Sequence, residues 1–330
     1  MLTRFHLRRK SAIALPLGVT LTLGAAACGG EDGTADATGS GRPHLVVTTS
    51  VLGDVVENLV GDLADVEVVM PAGSSPHEFQ ASPREVAAMR EADAMIVNGG
   101  GFEEGLGDPI EAAEADGVAT YAAIDAVETL TFSEDAAHEE EDGDGEEEHG
   151  AGSIDPHFFT DPRRVATAAQ AMADFLADEV PALDTDELGT QTAAYVDELT
   201  ALDAEMEATL AAVPADRREL VTNHEVFGYF AQRYGFEVIG AVIPTGTTQA
   251  APSAGELDEL GHTIEEAGVP AIFAETSSPT RLADSLAAEV GEVHVVELYT
   301  ESLGPEGSDG DTYAGMMRSN AEQIADALSA

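Results

Sequence analysis

The sequence predicts an α/β protein of two lobes, each built on a four-stranded, mainly parallel sheet flanked by helices, with a long rigid α-helix joining the lobes. Three observations lead to this prediction. Short runs rich in β-branched residues alternate with helical runs, which is the pattern of β–α–β layers. Four of these short runs precede a long gap and four follow it, and a continuous helical pattern lies inside the gap. The 330 residues of the chain are enough for two such lobes.

The predicted strands divide evenly between the two halves of the chain. They are residues 45–50, 66–70, 94–99 and 118–123 in the first half, and 219–224, 236–242, 271–276 and 293–298 in the second. Capping boxes predict helix starts at Ser82–Glu85 and Ser253–Glu256. Proline at the first helical position predicts two more, with Pro162 after the N-cap Asp161 and with Pro279 after a serine.

The helical pattern between the two halves covers residues 186–213. Its apolar residues recur at spacings of three, four or seven, and they are Leu188, Tyr195, Leu199, Leu202, Met206 and Leu210. At ~1.5 Å per residue the helix would be roughly 40 Å long, enough for a strut between two lobes. The predicted lobes are therefore residues 44–185 and 214–330.

The first 43 residues differ in composition from the rest. Residues 1–27 hold four basic residues and no acid, followed by an apolar run, which predicts a secretory signal too short for a membrane span. Cys28, the only cysteine, lies where a bacterial lipoprotein signal places the thiol that is acylated. An ordinary signal with an incidental cysteine is the alternative. Residues 28–43 are small and polar, which predicts a flexible tether.

The charge of the chain is strongly acidic. It holds 63 acidic and 14 basic residues, for a formal net charge of −49, which repels nucleic acid and other anionic partners. Residues 138–150, "HEEEDGDGEEEHG", have no hydrophobic periodicity and are predicted to be a disordered acidic loop.

Three of the nine histidines share one context, at or beyond the end of a predicted strand and at or before the start of a helical run. They are His77 in "PAGSSPHEF", His157 in "IDPHFF" and His224 in "VTNHEVF". Glu301 in "LYTESLG" follows the last strand in the same way. Because open α/β sheets bind ligands beyond the carboxyl ends of their strands, these side chains are placed to converge. Three imidazoles and one carboxylate suit Zn²⁺, whereas Mn²⁺ is better served by more oxygen.

Other candidate residues carry weaker signals. His44, His262 and His294 lie within predicted strands or helices and are interpreted as structural. Glu225 would be the general base if an open zinc position served an exported hydrolase, but the HExxH pattern is absent. The stretch "NGGGFEEG", Asn98–Gly105, lacks a following lysine and GxGxxG spacing, so it is interpreted as a turn.

Five motifs together carry a resemblance to a known family. They are "PAGSSPHEFQASPREVAAMREADAMIVNG", "DPHFFTDPRRV", "NHEVFGYFAQRYGF", "AIFAETSSP" and "LYTESLGPEGSDGDTYAGMMRSNAEQIADAL". Over essentially all of residues 44–330, the chain resembles the extracytoplasmic solute-binding proteins of zinc and manganese ABC importers. The fold of that family is two α/β lobes joined by a long rigid helix.

The resemblance implies a function and a set of metal ligands. It implies a monomer, anchored to the membrane through lipidated Cys28, that captures Zn²⁺ outside the cytoplasmic membrane and delivers it to an ABC permease. The same scaffold carrying Mn²⁺ is one alternative, and the exported zinc hydrolase is another. His77 and His157 match family ligands, His224 matches zinc-type members where manganese-type ones often have glutamate, and Glu301 stands where aspartate is usual.

The resemblance also bears on the acidic loop. Zinc members of the family commonly carry a histidine-rich acidic loop at the position of residues 138–150, but here that segment holds only two histidines. A weak metal-collecting role and a plain solvated charge run both remain open.

Overall fold

Two four-stranded parallel sheets form the framework of the protein. The computed structural model describes residues 41–132 and 152–329. The first sheet contains β1 (His44–Val47), β2 (Asp65–Val68), β3 (Ala94–Val97) and β4 (Ala119–Ala122). The second contains β5 (Glu219–Thr222), β6 (Glu237–Ala241), β7 (Ala271–Glu275) and β8 (His294–Leu298). Their orders match, β2-β1-β3-β4 and β6-β5-β7-β8, and every strand pair is parallel. The predicted α/β fold with two sheets is confirmed.

Helices follow the strands in each half. The first group is α1 (Ser50–Val60), α2 (Pro83–Glu91), α3 (Gly107–Ala115) and α4 (Pro162–Glu179), and with the first sheet it forms what we name the N-terminal lobe. The second group is α6 (Gly228–Tyr234), α7 (Ala254–Ala267), α8 (Arg281–Val290) and α9 (Tyr313–Ser329), and with the second sheet it forms the C-terminal lobe. Between the two groups lies α5 (Asp186–Leu210).

Three helix starts follow the predicted capping. The Ser82 and Ser253 hydroxyls accept hydrogen bonds from the backbone N–H groups of Glu85 and Glu256, and both glutamates bond back to the capping residues. Asp161 caps α4, as its position before proline predicts. These side chains satisfy backbone N–H groups that have no partner inside the helix.

Most predicted strand and helix ends shift by one to three residues, and two of these corrections have a local cause. The first strand ends at Val47 and not at Ser50, because the Thr49 hydroxyl caps the next helix and makes Ser50 its first residue. The α8 helix begins two residues after Pro279, since Thr280 adopts a turn conformation in front of it.

The long helix α5 packs with one side against both lobes. Its most extensive contacts are with α1, α4 and α9. The apolar residues named in the sequence analysis are all buried, at 5% exposure or less. The helix ends at Leu210, three residues before the predicted end, where the Ala211 N–H bonds to the carbonyls of Glu207 and Thr209. With 25 residues, it is roughly 38 Å long.

One hydrophobic core runs through both lobes. It includes Leu45 in β1, Leu199 in α5 and Leu220 in β5. A second, smaller cluster covers the other face of the first sheet and includes Val46 and Met95. Among residues 41–132 and 152–329, no helix has the length and apolar character that crossing a membrane requires.

Candidate metal centre

Two histidines reach the centre from loops of the N-terminal lobe. His77 lies between β2 and α2 and is 2% exposed. His157 is fully buried and precedes a single 3-10 turn, Phe158–Thr160, that leads into α4. Thr160 donates hydrogen bonds from its N–H and its hydroxyl to the His157 carbonyl, at 3.1 and 3.0 Å. This turn, with two buried phenylalanines behind it, holds the imidazole in place.

The other two residues come from the C-terminal lobe. His224 lies two residues beyond the end of β5, and the Thr222 hydroxyl donates to its carbonyl at 2.8 Å. Glu301 lies three residues beyond the end of β8. Both are buried. His224 and Glu301 therefore lie just beyond the carboxyl ends of β5 and β8, whereas His77 and His157 lie on longer loops, and each lobe supplies two of the four residues.

The four side chains meet at one carboxylate oxygen. Glu301 Oε1 lies 2.7 Å from His77 Nε2, 3.1 Å from His224 Nε2 and 3.2 Å from His157 Nε2. Each residue offers a ligand atom within 4.8 Å of the other three. The second oxygen, Oε2, is buried and has no hydrogen-bond partner among the described residues. An unpaired buried carboxylate oxygen is costly unless a cation or a donor meets it, so this donor set fits a divalent metal ion.

Each of the three rings also has its own carboxylate near Nδ1, the ring nitrogen that does not face Glu301. His77 Nδ1 lies 2.7 Å from Glu104, and His157 Nδ1 lies 2.8 Å from Asp155. His224 Nδ1 lies 3.4 Å from Glu275, without the geometry of a hydrogen bond. A carboxylate on Nδ1 keeps a proton on that atom and leaves Nε2 free to bind a metal.

Sequence reasoning missed these three carboxylates, although a signal for two of them was present. Glu104 lies beyond the end of β3, and Glu275 is the last residue of β7. Asp155 lies two residues before His157, in a motif already singled out. The strand-end rule that selected the histidines would also have selected Glu104 and Glu275 if it had been applied to acids.

The histidines and glutamates of the centre shift one another's pKa values towards the charged forms. Burial lowers the pKa of His77, but Glu301 and a hydrogen bond to Glu104 raise it by more, to about 9. Burial also lowers the pKa of His224, yet Glu275 and Glu301 bring it well above its usual value. Burial raises the pKa of Glu301, but the charges of the two histidines bring it well below its usual value. A metal ion must therefore displace protons from the rings.

Aromatic rings surround the centre. The ring centroids of Phe102, Phe159 and Phe132 lie 5.6, 5.9 and 6.3 Å from that of His157, in edge-on arrangements. Phe102 also contacts His77, with centroids 6.0 Å apart. These apolar walls lower the local dielectric and so strengthen the electrostatic interactions among the four side chains.

An open cavity of about 340 Å³ borders His77. Its lining includes Phe79, Glu104 and Gln249. The Gln249 amide, from the loop after β6, donates to the His77 carbonyl and to Glu104. A loop of the C-terminal lobe thus contacts the N-terminal lobe beside His77.

Comparison with known proteins identifies the family. Residues 45–327 match the family model described as "ZnuA: Zinc-uptake complex component A periplasmic". The chain belongs to this family. The resemblance stated from the motifs is therefore confirmed, and it covers nearly all of the described residues.

Individual relatives of the ZnuA family are named for two different metals. The chain is 31% identical over 301 residues to the zinc-binding protein TroA of Treponema pallidum, covering 90% of this chain and 92% of that protein. It is 29% identical over 312 residues to the manganese-binding lipoprotein MntA of Halalkalibacterium halodurans, covering 94% and 96%. A solved structure of the periplasmic zinc-binding protein TroA from Treponema pallidum matches with a TM-score of 0.77 at 28% identity, covering 88% of this chain and 100% of that chain.

Members of the ZnuA family are solute-binding proteins of transporters and not enzymes. The non-enzymatic prediction is therefore confirmed, and the hydrolase alternative is dropped. Within the described ranges, Glu225 is not part of the group of four that could hold a metal. Its N–H donates to the Thr245 carbonyl, and its side chain lines a separate cavity beside Phe227.

Some of the remaining candidate residues lie in the described part of the chain, and others lie outside it. His44, His262 and His294 lie in β1, α7 and β8 and, in the described part of the chain, do not belong to the metal-binding group. The stretch Asn98–Gly105 forms a turn after β3, as predicted. Cys28 and the acidic loop 138–150 lie outside the described residues.

Proposed function

We propose that this protein captures a divalent transition-metal ion, Zn²⁺ in the first place, outside the cytoplasmic membrane and delivers it to the permease of an ABC importer. The observation that carries the proposal is the buried group of three imidazole nitrogens and one carboxylate, with two residues from each lobe. His77, His157, His224 and Glu301 are the proposed ligands. Family membership supports the transport role, because the family's members are solute-binding components of transporters.

Zinc is proposed because of the donor atoms. Three neutral nitrogens and one carboxylate match the four-coordinate sites that Zn²⁺ prefers. For a given set of nitrogen and oxygen ligands, Zn²⁺ also binds more tightly than Mn²⁺. Manganese remains the second candidate, since several relatives are named for manganese, among them MntA of Halalkalibacterium halodurans and PsaA of Streptococcus pneumoniae.

The proposed location is the outer face of the cytoplasmic membrane, with a lipid anchor at Cys28. Two observations support it. Residues 1–27 have the composition of a secretory signal, and Cys28 follows directly. MntA and PsaA are both named lipoproteins. We further propose that the mature protein is a monomer whose macromolecular partner is the permease, and its net charge of −49 argues against nucleic acid.

Metal analysis tests the proposal. The chain without residues 1–27 is purified without added metal, its metal content is measured by mass spectrometry, and Zn²⁺ and Mn²⁺ are titrated against competing chelators. We expect one zinc per chain and tighter binding of Zn²⁺ than of Mn²⁺. His262→Ala is the matched control for ligand variants, because His262 is a histidine with a 72% exposed side chain on α7. Tighter Mn²⁺ binding would establish the second candidate, and binding of neither ion would refute the proposal.

A further inference from the structure

The residues before and after Glu301 make hydrogen bonds to different lobes. Just before it, the Tyr299 N–H donates to Asn320 Oδ1 on α9, at 3.0 Å. The Thr300 hydroxyl donates to Glu275 Oε2 at the end of β7, at 3.1 Å. Up to residue 300 the chain is therefore anchored to the C-terminal lobe, to which it belongs.

After Glu301 the hydrogen bonds go to the N-terminal lobe. Ser302 Oγ accepts from the Gly73 N–H at 2.8 Å and lies 3.1 Å from Ser50 Oγ. The Leu303 N–H donates to Ser50 Oγ at 3.1 Å, and the Leu303 carbonyl accepts from Gly73 at 3.2 Å. Ser302 and Ser50 are 2% and 8% exposed. Residues 302–303 therefore dock on the N-terminal lobe, at the first residue of α1 and on the loop that leads to His77.

We propose that Ser302 and Ser50 position Glu301 for metal binding, by docking its loop on the lobe opposite to the one that carries it. The inference rests on the proposed function, since it concerns the same metal centre. A glutamate side chain has three rotatable bonds, so its carboxylate stays among three imidazoles only when its backbone is fixed. The two hydroxyls fix that backbone on the far side of Glu301, and Thr300 fixes it on the near side.

A merely structural role for the two serines makes a different prediction. Removing a buried hydroxyl leaves its partners unpaired and destabilises the fold wherever it lies. A loss of stability alone would weaken metal binding equally whether or not residue 301 carries a carboxylate. A positioning role acts through the carboxylate, so its effect on binding disappears when the carboxylate is absent.

A double-mutant cycle separates the two roles. Zinc affinity is measured by chelator competition for the wild type, Ser302→Ala, Glu301→Ala and the double variant, with the thermal midpoint of each metal-free protein measured alongside. Ser302→Ala should weaken binding about five- to tenfold when Glu301 is present. In the Glu301→Ala background, Ser302→Ala should weaken zinc binding by less than about twofold. The matched control is Ser285→Ala, on the exposed side of α8, where the hydroxyl donates to the Arg281 carbonyl of the same helix and affinity should not change.

Two outcomes contradict the inference, and they are distinguishable. If Ser302→Ala costs the same in both backgrounds, the serine is structural and the inference falls while the proposed function stands. If the wild type binds neither Zn²⁺ nor Mn²⁺, the proposed function falls and the inference with it. Should Ser302→Ala fail to fold, the same cycle with Ser50→Ala decides, because that variant keeps the hydrogen bond between Gly73 and Ser302.

Discussion

Zinc binding should strengthen as the pH rises from about 6 to about 9, because the metal must displace protons from its imidazole ligands. The pKa of His77 is raised to about 9 by Glu301 and Glu104, against the lowering effect of burial. In the metal-free protein at neutral pH, His77 therefore carries a proton that zinc has to remove. The carboxylate of Glu301 is ionised over this whole range, since its pKa is lowered, and it adds no opposing proton.

The size of the effect follows from the pKa. Below pH 9, each unit of pH costs ~1.4 kcal/mol of binding free energy for the His77 proton, or about tenfold in affinity. Between about pH 9 and pH 7 that single proton weakens binding roughly a hundredfold. Because the pKa of His224 is also raised, we expect zinc affinity to rise between about tenfold and about a hundredfold per pH unit.

The stability of the metal-free protein should change in the opposite direction. A histidine whose pKa is raised on folding stabilises the fold fully below its unfolded pKa of ~6.5 and loses that contribution as the pH rises through the folded value. For His77 the folded pKa is about 9, so on the order of 3 kcal/mol is lost between about pH 6.5 and pH 9. Zinc affinity therefore rises over the range in which metal-free stability falls.

Two measurements check this reasoning. Chelator competition across the pH range gives the slope of affinity, and calorimetry in two buffers of different ionisation enthalpy counts the protons that zinc releases. His262→Ala should leave the slope unchanged, because its side chain is exposed and far from the group of ligands in sequence. Glu104→Gln should flatten the slope, because it removes one cause of the raised His77 pKa. An affinity that changes less than about twofold between pH 7 and pH 9, with no proton release, would refute the argument.

Three further predictions concern the ligands, the anchor and the acidic loop. Alanine at any of the three histidine ligands should weaken zinc binding by at least about a hundredfold, whereas Glu301→Ala should cost less, because water can partly replace a carboxylate. Chelator titration checks this with His262→Ala as control; wild-type affinity in His224→Ala would rule out the proposed site. Cys28→Ala should release the protein from the membrane fraction, and fractionation followed by immunoblotting would contradict the anchor if the variant stayed bound. Deletion of residues 138–149 should change zinc affinity by less than about tenfold, or ~1.4 kcal/mol, in the same titration; a larger loss would mean that the loop supplies a ligand.

The sequence was sufficient for the framework because the framework is encoded locally. All eight strands come from runs of β-branched and apolar residues, and the shared sheet order follows from two similar halves. Errors occurred at element ends, where one side chain outweighs the local propensity. Thr49 is β-branched and extends the apparent first strand, yet its hydroxyl caps α1 and so ends that strand early.

In the candidate site, too, the sequence predicted some residues and missed others. The three histidines were found because histidine is rare in this chain and each one followed a strand. The carboxylates Glu104, Asp155 and Glu275 were missed because 63 acidic residues give each single acid little information. The contact between Ser50 and Ser302 joins residues 252 apart, and no local pattern predicts such a pair.

The carboxylates beside the Nδ1 atoms have two effects of opposite sign on metal binding. By holding the Nδ1 proton, Glu104 and Asp155 leave Nε2 of each ring directed at the centre. The hydrogen bond between His77 and Glu104 also contributes to the raised pKa of His77, so an incoming ion must compete with a tightly held proton. Zn²⁺ and Mn²⁺ must displace the same proton, so this competition lowers the affinity for both ions by the same factor. The preference for Zn²⁺ over Mn²⁺ therefore rests on the three imidazoles, because Zn²⁺ has the higher affinity for such nitrogen ligands.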